Sequence, residues 1–159
     1  MAADRFIPIV LAAASLGGCR SPVGPSVRGV EKPATELQIL WQASGTYSHA
    51  SRAMRLVIRD AAGLARVPLT EVPVDFDTQM ILVACFGPAQ SPGHAIRIDR
   101  VRQVAGRIEV EVHKEYPPAE RPGPRRLCSP WHVVVVPRSD LNVKGFSPSV
   151  PDGGFNLRY

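Results

Sequence analysis

Hydrophobic positions in this chain follow three patterns, and each predicts a different structure. From Phe6 to Leu16 the chain is apolar apart from Ser15, and the run ends at Gly17-Gly18-Cys19. Two internal runs, QMILVACFG (79–87) and WHVVVVPR (131–138), are apolar without alternation. Bounded by turn residues, they read as buried strands. Two others alternate. In GRIEVEVHKEY, Ile108, Val110 and Val112 face a core, while Glu109, Glu111 and His113 face water. In AIRIDRVRQV, Ile96, Ile98 and Val101 face one way and Arg97, Asp99 and Arg102 another after a slip. Ala105-Gly106 joins the two as a hairpin turn.

Weaker signals fill the rest. LQILW (37–41) reads as the first strand, Met54–Ile58 as extended, and LNVKGF (141–146) as a short last strand. Asp60 is placed to cap a short helix running to about Arg66, weakened by Gly63. GTYSHAS, PLTEVPVDFDT, PAQSPGH and PPAERPGPRRL read as loops. Strands outnumber helices and follow one another closely. The expectation is a mainly β domain: a compact antiparallel β-sandwich or open barrel with one short helix.

Composition sharpens this picture. The 16 prolines favour turns and short elements. The net charge of +5 is nearly all arginine, scattered and without interleaved aromatics. That excludes a nucleic-acid footprint and leaves a mildly basic surface.

The N-terminal run is too short to cross a bilayer, which takes roughly 20 residues. It has the layout of a secretory signal. Leu16-Gly17-Gly18-Cys19 resembles the lipobox of bacterial lipoproteins. The resemblance implies cleavage before Cys19 and lipid on its thiol. Residues 1–18 then form the signal peptide and 19–35, rich in Pro and Gly, a tether. Residues 36–147 form the β domain and 148–159 a loosely ordered tail. The expected location is the cell envelope, at the outer membrane where one exists, because Arg20 is not an aspartate retention signal. Cys85 and Cys128 remain; in an oxidising compartment they could pair, though a buried free thiol at Cys85 is equally comfortable.

Catalytic patterns are missing. His49, His94, His113 and His132 show no metal-ligand spacing, and no Gly-x-Ser-x-Gly elbow or phosphate loop occurs. Asp75/Asp77 and Glu109/Glu111 read as a loop and a solvated face. The chain is expected to be no enzyme and to need no cofactor or metal.

Two loops are more informative. In Ser91-Pro92-Gly93-His94, proline presets φ and glycine permits positive φ, which suits a type II turn presenting His94. Cys128-Ser129-Pro130-Trp131-His132 offers a second tip, where Trp131 is either core packing or an exposed anchor.

From about Arg55 to Phe146 the chain resembles the PrcB C-terminal domain family, named from a subunit of a bacterial surface protease complex. The resemblance rests on RLVIRD, on Pro73–Phe76 leading into QMILVACFG, on SPGHAIRIDRV and on LCSPWHVVVVPRS. The family usually has Thr-Gly-Gly-Tyr where this chain has Ser91-Pro92-Gly93-His94, and threonine where it has Cys128. The resemblance implies an exported domain that associates with a protease and supplies no catalytic residues. The expected function is a lipid-anchored binding module. It would engage a partner, an envelope or surface protease, through Ser91, Pro92, Gly93, His94, Pro130 and Trp131. Two readings stay beside it: a structural envelope lipoprotein in which Trp131 serves folding, and a metal or enzyme site around His94 and His132.

Overall fold

The computed structural model describes residues 33–48, 50–67, 72–118 and 126–149. The stretch expected to be a signal peptide, Cys19, most of the expected tether, His49 and the residues from 150 on lie outside them.

Among the described residues seven strands form two sheets, and every pairing between these strands is antiparallel. In chain order they are β1 (Ala34–Leu37), β2 (Trp41–Gly45), β3 (Met54–Ile58), β4 (Gln79–Cys85), β5 (Ala95–Val104), β6 (Arg107–Glu115) and β7 (Trp131–Pro137). One helix, α1 (Ala61–Ala65), follows β3. The sheets are ordered β1-β5-β6 and β2-β7-β4-β3. The fold is thus the expected mainly β sandwich, with no closed barrel.

The two apolar runs become β4 and β7, side by side in the middle of the four-stranded sheet. Alternate residues of that sheet feed two separate cores. Ile81, Val83, Cys85, Val133 and Val135 pack with Leu56 and Ile58 on one face. That face is covered by Leu64 of α1 and by Val67, Val72, Val74 and Phe76 of the segments around it. Met80, Leu82, Ala84, Val134 and Val136 point the other way, against Ile96, Ile98, Val101 and Ile108 of the three-stranded sheet. A strand covered on both faces needs apolar side chains at every position, which is why these runs do not alternate. β5 and β6 have one covered face, so they alternate.

Local predictions hold in detail at several points. Asp60 caps α1 by accepting a 2.6 Å hydrogen bond from Gly63 N–H. The slip in β5 is a register shift between Ile98 and Arg100. The β5–β6 turn uses Ala105 at φ 50° and Gly106 at φ 78°, the two positive φ values of a tight hairpin.

Two strand expectations are corrected. LQILW is not one strand: Leu37 ends β1, residues 38–40 cross between the sheets, and Trp41 begins β2. The crossing is possible because Leu37 and Ile39 stay with the inter-sheet core while Trp41 turns to the opposite one. β1 itself begins at Ala34, inside the stretch read as tether. LNVKGF forms a single bridge, Val143 to Ile108, and then a turn through Gly145 at φ 76°.

Candidate functional site

The turn at 90–94 is held on one end of the sandwich by backbone pairing with 126–128. Ala89 and Cys128 exchange both N–H to carbonyl bonds at 2.8 Å, and Arg126 N–H donates to Gln90 O at 3.1 Å. Two side chains then converge on one carbonyl. His94 Nδ1–H donates to Ser91 O at 2.9 Å, and the Cys128 thiol donates to the same oxygen at 3.0 Å. Gly93 has φ +96°, and a Cβ there would stand 3.1 Å from Pro117 Cβ. The turn is therefore rigid before any partner arrives, which lowers the entropy cost of binding.

Around this turn lies a cluster of rings. His94 packs edge-on against Phe86 at 5.1 Å and Tyr116 at 5.8 Å, and Phe86 and Tyr116 meet at 5.4 Å. Lys114 Nζ sits 4.8 Å from the Phe86 ring centre, in cation–π range. Tyr116 is 65% exposed. A groove of about 570 Å³ adjoins the cluster, lined by Tyr47, Pro92, Gly93, His94 and Leu127. Tyr47 and Leu127 are exposed large side chains as well. The result is an amphipathic rim with a rigid turn at its centre.

The sequence-predicted residues divide here. Pro92 and Gly93 are exposed, and Ser91 and His94 half-buried, all on this rim. Pro130 and Trp131 are not on it. Trp131 is 1% exposed and packs with Ala50, Leu56 and Cys85, and Pro130 is buried beside it. Trp131 begins β7 on the covered face, so the second tip is core packing and offers no anchor.

Cys85 and Cys128 are both free thiols in the structure, which of the two readings is the unpaired one. Their side chains have other destinations: Cys85 lies in the core with Trp131, and Cys128 donates to Ser91 O. Burial pushes the Cys85 thiol up to about 12 against an opposing hydrogen bond from Ser48, and burial raises Cys128 too. Neither is a thiolate near neutral pH, so neither is primed as a nucleophile.

His94 and His132 do line one groove of about 600 Å³ between β2 and the start of β5. His132 is a poor metal ligand there. Its Nδ1 accepts a 3.0 Å hydrogen bond from Ile98 N–H, which uses the one lone pair that a neutral imidazole has in the ring plane. No cluster of three metal-ligating side chains occurs among the described residues. Asp75 accepts from Asp77 N–H and from the Thr78 hydroxyl, the pattern of a turn brace. Glu109 is held by Arg107, which lowers its carboxyl below the ordinary range, with Lys144 adding to the effect.

Phe86, Lys114, Tyr116, Tyr47 and Leu127 were not singled out from sequence. The available signal was position: Phe86 and Tyr116 each stand immediately after a strand and just before Gly87-Pro88 or Pro117-Pro118. Two aromatics ending strands that finish at the same end of a sandwich are placed to meet.

The family model described as PrcB C-terminal matches residues 80–137. The resemblance read from sequence is thus borne out over the segment from β4 to the end of β7. No curated protein and no solved structure matches the chain.

Proposed function

We propose that this chain, whose β4–β7 segment is of the PrcB C-terminal family, is a non-catalytic docking module for an envelope or surface protease. In this reading it is exported, carries lipid on Cys19, and is held at the outer membrane where one exists. The rim of His94, Phe86, Tyr116 and the Pro92–Gly93 turn makes the contact.

The observation that carries the reading is a coincidence of two boundaries. The family match over residues 80–137 contains every rim residue except Tyr47. A rigid turn flanked by a 65% exposed tyrosine is also the kind of surface that protein interfaces use, since aromatics supply area at low entropy cost. The burial of Trp131 favours the structural reading for that residue alone.

The test is affinity capture from native envelope extract, read by mass spectrometry. One bait is residues 20–159; the second carries His94→Ala and Tyr116→Ala, with its fold checked by circular dichroism. A protease held by the first bait and lost from the second is the expected result. Equal capture by both removes the rim assignment, and a protein other than a protease on the first bait alone removes the protease assignment.

A further inference from the structure

β5 changes neighbours along its length. Val101–Val104 lies between β1 and β6, whereas Ala95–Ile98 pairs with β6 only. The change falls at the bulge between Ile98 and Arg100. There a side chain from the other sheet takes the place of the missing strand: Ile98 N–H donates to Nδ1 of His132, a residue of β7 that is 4% exposed.

The donor fixes the ring's state. A backbone nitrogen only donates, so Nδ1 holds the lone pair and the neutral ring carries its proton on Nε2. A second proton can go only to Nδ1. It would set one N–H against another, and the bond could not survive. Ile98, which is buried, would lose the partner of its amide.

The surroundings decide when this happens. Arg97 and Asp99 of β5 act on the ring through their charges, and Glu115 of β6 and His94 of the turn before β5 line the same groove. β2 contributes uncharged Gln42 and Ser44, and β4 contributes Ala84 opposite His132 in the ladder. Burial holds the His132 ring below its ordinary value, Arg97 adds to that, and Asp99 partly offsets it. The groove between β2 and β5 gives the ring a route to water.

We infer that His132 is a proton-released latch. Protonating its ring detaches the Ala95–Ile98 half of β5 from the four-stranded sheet and leaves β4, β7 and Val101–Val104 paired. His94 stands one residue before the released segment, so the latch also sets the geometry of the rim.

The test is amide exchange and histidine titration by NMR on the purified full chain between about pH 8 and pH 5. Ile98 protection should fall about tenfold per pH unit in the window between the ordinary histidine value and that of folded His132. Leu82 and Val83 in β4 should stay better protected than Ile98 throughout, because they open only with the whole domain. Ile98 protection equal to that of Leu82, or independent of pH across that window, would overturn the inference. His132→Gln keeps an acceptor and removes the titration, so its Ile98 protection should be independent of pH; a wild-type response in that variant overturns the latch. Should that variant fail to fold, His94→Gln decides. It should retain the wild-type response, and a lost response would assign the effect to His94 and overturn the inference.

Discussion

The two sheets of this domain are built to different specifications. The four-stranded sheet has a core on each face, and residues 80–84 and 133–136 are fully buried in it. The three-stranded sheet has one core and one wet face, where Arg97, Arg100, Glu111 and His113 stand in water. Stability therefore concentrates in the first sheet. The second sheet lends its open end to the rim, where Ala95 and Glu115 bring His94 and Tyr116 together. What this teaches is a division of labour: β4 and β7 hold the fold, and the ends of β5 and β6 are free to carry contact residues.

Substitutions can break or sharpen that division. The largest effects belong to the double-covered sheet. Leu82→Ala and Trp131→Ala should each lose roughly 2–5 kcal/mol of unfolding free energy, read by denaturant melts. The matching change in the single-covered sheet, Val112→Ala at a half-buried position, should lose about 1 kcal/mol. Equal losses in the two sheets would erase the comparison.

Next is overpacking at the β2 edge. A Cβ on Gly45 would lie 2.5 Å from Trp131 Nε1, and the indole is walled in by the core. Gly45→Ala should therefore cost about 1–3 kcal/mol in the same melts.

The protonation effect is smaller and has a definite sign. The unfolded chain binds a proton at the ordinary histidine value of 6.5, and folded His132 binds it only at lower pH. Unfolding then takes up a proton between those two values. Stability should fall by up to about 1.4 kcal/mol per pH unit as pH drops below 6.5, and level off below the folded value. Denaturant melts across that range check it, and His132→Gln should flatten the slope. The smallest effect is expected on the wet face, where Glu111→Thr should leave the denaturant midpoint unchanged.

The same contrast explains what was legible in the sequence. Unbroken apolar runs and clean alternation report burial directly, so β4, β5, β6 and β7 could be read along with the slip before Arg100. LQILW could not, because the chain is apolar on both sides of a crossing between sheets, at Leu37 and Trp41, and composition does not mark where a chain changes sheet. The turn at 91–94 was legible because Pro92 and Gly93 set backbone angles locally. The ring cluster was not, since Phe86, His94 and Tyr116 meet only after β5 and β6 have paired and their sheet has packed against β4. Trp131 gave an ambiguous signal, because burial and exposure of a tryptophan at a strand entry look alike until the covering layer is known. His132 is the same kind of case: its role depends on Ile98, 34 positions away in sequence.

The most direct test of the docking account places a photo-crosslinking amino acid at Tyr116 on the rim and, in a second chain, at Glu111 on the wet face of β6. Both are irradiated in the native envelope. The account predicts a crosslinked protease from position 116 and none from position 111. The same product from both positions, or a product from 111 alone, would contradict it.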